Sequence, residues 1–255
     1  MTVMRQFRDL TLLPISETQT LVIACDSSAA IGEKKADMVS LATATMAAYS
    51  LRVPLLETLC IGASPLAVID TVGNEMQPTG HNMIAGIKAE LIKAGYPNLP
   101  INGSTEENMV TVTTSIGVTV IAMAPSSSLI GLASSTDLIV YQLGRPYSGE
   151  TLKTHNDDVF GYGVIRHLRQ LPMVQDILPV GSKGILYELS EMARTNQCAL
   201  TAPLVDFESD EMHRTAGPST VALIGVTVDQ QSVFDQLISS DHAFKSIKKI
   251  AILRK

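Results

Sequence analysis

The chain has 255 residues, of which 45% are apolar and 17% charged, and its net charge is −6. This composition supplies a full hydrophobic core and excludes intrinsic disorder as the main state. The acidic balance and the absence of Trp argue against nucleic-acid binding, which needs a basic surface and aromatic platforms. No apolar segment is long enough to span a membrane and no signal peptide is recognisable, so we expect a cytoplasmic protein without a membrane partner.

The first half of the chain is predicted to alternate strands and helices. In chain order the apolar pattern predicts a strand at 20–25, a helix at 37–61 that Pro54 kinks or splits, a strand at 65–71, a helix at 81–94, and strands at 99–102 and 110–123. Gly62 and Gly95 follow the two helices, as is typical of helix C-termini. Small polar residues predict loops at 26–32 and 103–108, each directly after an apolar strand.

A Pro-Ser-Ser-Ser segment at 125–128 marks a change in composition, and we place a domain boundary there, giving domains 1–125 and 126–255. The second half is predicted to contain strands at 137–144, 219–228 and 246–253 and helices at 159–170, 183–195 and 230–239. The elements alternate without Rossmann order, which predicts an α+β protein made of two α/β sandwich domains. The three cysteines, Cys25, Cys60 and Cys198, are widely spaced in apolar segments, so we expect buried thiols in a reducing compartment.

Three carboxylates stand out because they interrupt or directly follow apolar segments. Asp26 follows a strand, Asp70 lies near the end of one, and Glu57 lies in an apolar helix. Oxygen ligands of this kind suit Mg²⁺. The alternatives are a turn residue at Asp26, a salt bridge or strand-end turn at Asp70, and a solvated helix face at Glu57.

Two loops have the composition of phosphate-binding segments. The first contains, in order, Gly103, Ser104, Thr105, Glu106, Glu107 and Asn108. Its amides and hydroxyls suit phosphate oxygens and its carboxylates suit Mg²⁺, and the alternative is an acidic surface loop. The second loop, Gly181, Ser182, Lys183 and Gly184, precedes a predicted helix, whose free amides favour an anion. Its alternative is a simple helix cap by Ser182.

The order of these motifs resembles the superfamily of aminoimidazole ribonucleotide synthase, selenophosphate synthetase and thiamine-monophosphate kinase. The matching features are Asp26 after the first strand, Glu57 five positions before Gly62-Ala63-Ser64-Pro65, Asp70 at a strand end, Gly103-Ser104-Thr105, and Gly181-Ser182-Lys183-Gly184. Within that group, the strings at 24–32, 68–91, 102–109, 177–188 and 216–226 look most like the α-ribazole kinase branch.

The resemblance implies an assembly and a set of site residues. Two N-terminal domains would pair as a homodimer and form a shared β-barrel, with ATP near the interface. The implied Mg²⁺ ligands are Asp26, Asp70, Glu57, Glu106 and Glu107, and Asp26 and Asp70 are the implied catalytic residues. The implied ATP or acceptor contacts are Gly103, Ser104, Thr105 and Asn108, with Gly181, Ser182, Lys183 and Gly184 in the second domain.

The reaction implied by the resemblance is phosphorylation of a small nucleoside-like substrate, α-ribazole, by ATP. Two other functions stay open. One is an ATP-dependent ligase or cyclase of the aminoimidazole ribonucleotide synthase type. The other is a nucleotide-binding dimer without turnover, because Ser104 stands where the family pattern has an acid.

Overall fold

The computed structural model describes residues 4–129, 133–240, 244 and 246–255. The chain divides into two compact units. The first unit consists of Met1–Leu59 and Ala63–Pro125, and the second of Cys60–Gly62 and Ser126–Lys255. The roles of the two halves as a nucleotide-binding dimerisation domain and a second α/β domain stay predictions. None of the helices within the described residues has both the length and the hydropathy needed to cross a membrane.

The first unit is built on a six-stranded sheet. The strands of this unit are β1 (Arg5–Phe7), β2 (Leu10–Pro14), β3 (Gln19–Ala29), β4 (Ile31–Gly32), β5 (Val39–Ser40), β6 (Ser64–Val72), β7 (Ile101–Thr105) and β8 (Ser115–Pro125). Strands β4 and β5 form a short parallel pair outside the six-stranded sheet. The spatial order in the sheet is β1-β2-β3-β8-β6-β7. The helices of this unit are α1 (Thr43–Cys60) and α2 (His81–Lys93), and a π-helical segment, Met76–Gly80, leads into α2.

One face of this sheet is buried and the other is half-exposed. Along β8, Ile116, Val118 and Val120 are buried while the intervening residues are only partly buried, which is the alternation of a strand with one covered face. Helix α1 is apolar almost all round, as is typical of a helix inside a core. At Gly86 of α2, an added Cβ would lie 1.9 Å from the carbonyl oxygen of Ala44, so the two helices cross in close backbone contact.

The second unit has an antiparallel five-stranded sheet with helices on both faces. Its elements are β9 (Leu138–Gly144), α3 (Gly149–Thr154), α4 (Tyr162–Gln170), β10 (Val174–Val180), α5 (Ile185–Thr195), β11 (Ala199–Pro203), α6 (Asp210–His213), β12 (Val221–Thr227), α7 (Gln231–Ser240) and β13 (Ile247–Arg254). The spatial order of the strands in the sheet is β10-β12-β9-β13-β11. Every residue of the central strand β9 is buried. Val140 joins a core with Leu189 of α5, while Tyr141 points to the other face and meets Phe234 of α7, with ring centroids 4.8 Å apart.

The mixed α/β character of the fold is confirmed, and both sheets are open within the single chain. Two predicted loops are wrong in part, because strands continue into them. Strand β3 runs through Asp26 to Ala29, paired with β8 along its full length. Strand β7 likewise includes Gly103–Thr105, paired with β6. Ladder hydrogen bonds to long neighbouring strands outweigh the weak strand propensity of these small residues.

The predicted start of the first helix and the predicted start of the strand at 110–123 are also wrong. Helix α1 begins at Thr43 rather than residue 37, because the Asp37 carboxylate accepts hydrogen bonds from the amides of Lys34 and Thr114 instead. Strand β8 begins at Ser115 rather than residue 110. Pro54 lies inside α1 without splitting it, since burial of the helix outweighs the loss of one backbone hydrogen bond.

Several elements and one burial prediction differ from expectation. The structure adds elements that are short or carry no strong periodicity, namely β1, β2, β4, β5, β10, β11, α3 and α6. Of the three thiols, Cys60 is buried, Cys198 is half-buried and Cys25 is exposed. Cys25 is exposed because odd-numbered residues of β3 point to the open face of the sheet.

Candidate functional site

Three strands of the first unit end at the same edge of its sheet. Strands β3 and β6 both run antiparallel to β8, which lies between them, and β7 runs parallel to β6. The C-terminal ends of β3, β6 and β7 therefore meet at one edge, which we call the carboxyl edge. Asp26 and Asp70 lie near the ends of β3 and β6, Glu106 and Glu107 directly follow β7, and the topology brings these strand ends together.

Asp26 and Asp70 lie in one row across the buried face. Asp26 is directly opposite Val118 on β8, Val118 is opposite Asp70, and Asp70 is opposite Gly103 on β7. Directly opposed residues project to the same face, and Val118 is buried. The two aspartates are two strand spacings apart, about 10 Å between backbones.

The carboxyl group of Asp70 lies over the backbone of β7. A Cβ added to Gly103 would be 2.2 Å from Asp70 Oδ1 and 2.3 Å from the Asp70 carbonyl oxygen, so only glycine fits there. Asp70 is 3% exposed, and burial alone raises its pKa. Burial also raises the pKa of Asp26, and a hydrogen bond from the backbone N–H of Ser27 opposes part of that change. Within the described residues no donor to the Asp70 carboxylate is present, so no protein group compensates its charge.

The predicted phosphate-binding residues of β7 divide between the two faces. Ser104 is opposite Thr71 and shares its exposed face, whereas Thr105 is opposite the buried Val72. The structure therefore brings Gly103 and Thr105 to the face of Asp70 and leaves Ser104 on the other face.

The carboxylates after β7 are held by local hydrogen bonds. Glu106 Oε1 accepts from the amides of Asn108, at 2.7 Å, and Met109. Glu107 Oε1 accepts from the amide of Met76, at 2.8 Å, and from the hydroxyl of Thr105. Both residues border the carboxyl edge, with these oxygens engaged in turn contacts, and Asn108 is exposed.

Glu57 is not brought to the aspartates. It lies in the last turn of α1, at the edge where β6 begins, whereas Asp70 lies near the end of that strand. The alternative of a solvated helix face is also wrong, because Glu57 is 8% exposed. Among the described residues, no group of three or more His, Cys, Asp or Glu side chains is close enough to share a metal ion.

A polar network beside the carboxyl edge was missed by the sequence analysis. Lys34 Nζ lies 2.9 Å from Glu75 Oε2, and the hydroxyl of Thr79 donates to the same carboxylate. The Thr79 hydrogen bond and the Lys34 charge lower the pKa of Glu75 to about 2, against the opposing effect of burial. Asn74 continues the network by donating to the Thr113 carbonyl. Lys34 and Thr113 are far in the chain from Asn74, Glu75 and Thr79, so only the polar segment directly after β6 could have indicated the network.

The loop at 181–184 lies at one edge of the second sheet. Strands β9 and β10 both run antiparallel to β12, so their C-terminal ends share that edge. The Gly181 carbonyl accepts from the amide of Ala216, and Gly184 has a φ of +86° and lies against the His213 carbonyl. Gly184, not Ser182, is the N-cap of α5, so the predicted cap by Ser182 is wrong.

Lys183, the cationic residue of this loop, packs on the following helix, α5. Lys183 Nζ donates to the Tyr187 hydroxyl at 3.0 Å and lies 4.1 Å from the ring centroid of Tyr187. Ser182 and Lys183 are exposed, and Gly181 is half-buried. The loop thus presents one hydroxyl and one ammonium group beside the N-terminus of an 11-residue helix.

No protein-family model matches this sequence, and no curated protein matches it. Solved structures match its fold. Thiamine monophosphate kinase from Aquifex aeolicus superposes with a TM-score of 0.63 at 12% identity, over 97% of this chain and 89% of that chain. The hydrogenase maturation protein HypE from E. coli gives 0.61 at 12% identity, over 92% and 79%.

A third match is PurL from Thermotoga maritima, complexed with AMPPCP, with a TM-score of 0.58 at 14% identity. It covers 100% of this chain and 39% of that chain, so this chain spans about two fifths of that protein. Identities in this range establish a shared fold. The chain has the mixed α/β fold of the aminoimidazole ribonucleotide synthase-like proteins.

Proposed function

We propose that this chain is an ATP-dependent small-molecule kinase with α-ribazole, a nucleoside of cobalamin lower-ligand assembly or salvage, as its acceptor. The observation that carries the proposal is the row of Asp26, Val118, Asp70 and Gly103 on the buried face at the carboxyl edge. Two carboxylates that form no salt bridge with a described residue, beside a strand that contains Gly103, suit a metal-bound polyphosphate, because Mg²⁺ is bound by one or two carboxylates together with phosphate oxygens.

Fold likeness supports the use of ATP. A thiamine monophosphate kinase superposes over nearly the whole chain, and another neighbour was solved with the ATP analogue AMPPCP. The choice of α-ribazole rests on the resemblance of residues 68–91, 102–109 and 177–188 to that kinase branch.

In the proposed reaction, Asp26 and Asp70 would hold Mg²⁺, which would neutralise charge on the triphosphate, and Gly103 leaves room for the phosphate chain. The acceptor 5′-hydroxyl oxygen bonds to the γ-phosphorus, the bond to the departing ADP oxygen breaks, and the hydroxyl proton passes to Asp26. In the second unit, the amides of residues 181–184 are proposed to bind phosphate or the acceptor, with Lys183 adding positive charge.

The test is a mass-spectrometric turnover assay with MgATP and α-ribazole, with thiamine monophosphate and formylglycinamidine ribonucleotide as control acceptors. The expected result is ADP and phosphorylated α-ribazole, with no product from the controls. Asp70→Asn is expected to abolish turnover, and the exposed Asp9→Asn is the matched control. Free phosphate together with a new C–N bond would favour a ligase. Bound nucleotide without any product would favour a binding module.

We further propose that the half-exposed face of the first sheet pairs with a second copy, forming a barrel shared between subunits. Apolar side chains such as Leu21, Ile23 and Ile121 are only partly covered on that face, and Leu66 is exposed. Burying such a face is a favourable basis for a homodimer. Sedimentation of Ile121→Glu is expected to give a monomer while Ala89→Glu, on the exposed side of α2, remains a dimer. A monomeric wild type would refute the assembly.

A further inference from the structure

The segment between β4 and β5 holds Lys34 beside the carboxyl edge of the first sheet. The amide of Lys34 donates to Asp37 Oδ2 at 2.8 Å, and Asp37 Oδ1 accepts from the amide of Thr114 at 2.7 Å. Thr114 is fully buried and directly precedes β8. Before Lys34, Glu33 Oε2 accepts from the amide and the hydroxyl of Thr43, the first residue of α1. The backbone of Lys34 therefore lies between two anchored carboxylates.

The side chain of Lys34 is held as well, and it retains a donor for a ligand. Its Nζ lies 2.9 Å from Glu75 Oε2 and 3.1 Å from Glu75 Oε1. In the part of the chain that the structure describes, no other residue accepts a hydrogen bond from this ammonium group. An ammonium group has three N–H donors, so the two Glu75 oxygens leave at least one of them. The Lys34 side chain is 19% exposed, so a ligand can reach it from solvent.

The pair of Lys34 and Glu75 borders the face on which Asp70 lies. A Cβ added to Gly80 would be 3.3 Å from the Glu75 carbonyl oxygen and 3.4 Å from Thr105 Cγ2, so Glu75 and Thr105 are neighbours. Thr105 is on the same face of β7 as Asp70, two residues beyond the position opposite it, which is about 7 Å along the strand. The ion pair is therefore next to the proposed phosphate site.

The carboxyl edge is rich in negative charge. Asp26 and Asp70 lie on its buried face, and Glu106 and Glu107 follow β7. A metal-bound triphosphate remains anionic, so its binding there adds electrostatic repulsion. A cation that is fixed in advance offsets this repulsion without reorganisation. Lysine suits this role, because its ammonium group is a compact point charge that binds phosphate oxygens.

We infer that Lys34 is a binding residue for the polyphosphate of the nucleotide, with its ammonium group held at the carboxyl edge by Glu75. The inference rests on the proposed use of ATP, and it is independent of the acceptor. Lys34 donates to a phosphate oxygen through the N–H that Glu75 leaves, while the ion pair persists. Protein kinases use a comparable arrangement, in which a lysine paired with a glutamate contacts the phosphates of ATP.

Calorimetric titration of the full chain with MgATP tests this role. We expect the affinity to be lower by about tenfold or more in Lys34→Ala and in Lys34→Gln. The Gln variant retains a hydrogen-bond donor for Glu75, so it loses the charge without leaving the carboxylate unpartnered. Lys35→Ala is the matched control, since Lys35 is the adjacent lysine and is exposed, and it should bind as wild type does.

The dependence on salt separates a charge contact from a structural effect. The difference in MgATP affinity between wild type and Lys34→Gln should shrink as potassium chloride is added, because salt screens the attraction of a partly exposed ammonium group for phosphate. Magnesium tripolyphosphate, which has no base or sugar, should show the same dependence on Lys34. Circular dichroism of each variant shows that it is folded.

Equal MgATP affinity in wild type, Lys34→Ala and Lys34→Gln would overturn the inference, even if α-ribazole is phosphorylated. A loss of affinity in Lys34→Gln that does not change with salt would also overturn it. Absence of MgATP binding to wild type at millimolar nucleotide would overturn both the inference and the proposed use of ATP. If MgATP binding depends on Lys34 but α-ribazole is not phosphorylated, the proposed acceptor is wrong and the role of Lys34 stands.

Discussion

Replacing Asp70 by Asn should make the protein more stable at neutral pH while abolishing turnover. Asn has nearly the shape of Asp, so the packing over Gly103 is retained, but it carries no charge. Asp70 is 3% exposed and burial is the cause of its raised pKa. The folded state therefore keeps a carboxylate that would be more favourably solvated in the unfolded chain.

The sign of the pH dependence follows from the raised pKa. The folded protein holds the Asp70 proton more tightly than the unfolded chain, in which the pKa is near the ordinary value of 3.8. The contribution of Asp70 to the free energy of unfolding is therefore fully favourable below that value and declines as pH rises to the raised pKa, above which it stays low. A buried polar group without a hydrogen-bond partner lowers the free energy of unfolding by about 1–3 kcal/mol. We expect the Asp70→Asn substitution to recover about 1 kcal/mol of this loss.

Thermal unfolding of wild type and Asp70→Asn at pH 4 and pH 7, without metal or nucleotide, measures the effect. At pH 7 we expect the Tm of Asp70→Asn to exceed that of wild type by roughly 2–4 °C for each kcal/mol of added stability. At pH 4 the difference in Tm between the two proteins should be smaller. Asp26→Asn is the comparison, and its gain should be smaller because Asp26 is less buried and accepts from Ser27. A lower Tm of Asp70→Asn at pH 7 would refute the reasoning, since it would mean that the charge is favourably compensated in the fold.

Two further predictions concern the same edge. Gly103→Ala places a Cβ 2.3 Å from the Asp70 carbonyl oxygen, so it should lower the free energy of unfolding by about 1–3 kcal/mol, measured by urea denaturation. The control Gly163→Ala, in α4 with open space around it, should be neutral or stabilising, and equal effects would contradict the steric argument. Glu75→Gln should cost on the order of 2 kcal/mol at pH 7. That difference should shrink as pH falls from 4.5 towards the Glu75 pKa of about 2, and a penalty independent of pH would mean that the Lys34 and Thr79 contacts do not act through charge.

Much of the fold and part of the site could be predicted from the sequence. Helix α2 and helix α5 lie within two residues of their predicted bounds, because their apolar periodicity and flanking glycines are local signals. The association of Asp26, Asp70 and Gly103 with neighbouring strand ends was likewise predictable, since each follows or ends an apolar run.

Only the tertiary structure decides on which face and at which edge of the sheet each of these residues lies, and which residues it meets. Ser104 and Gly103 are adjacent in sequence, yet the pleat of β7 sends them to opposite faces. Glu57 carries the same charge as Asp70 but lies at the other edge of the sheet, because α1 ends where β6 begins. Local propensity determines which segments become strands and helices. Register and strand order depend on hydrogen bonds between segments far apart in the chain, and these decide which side chains meet.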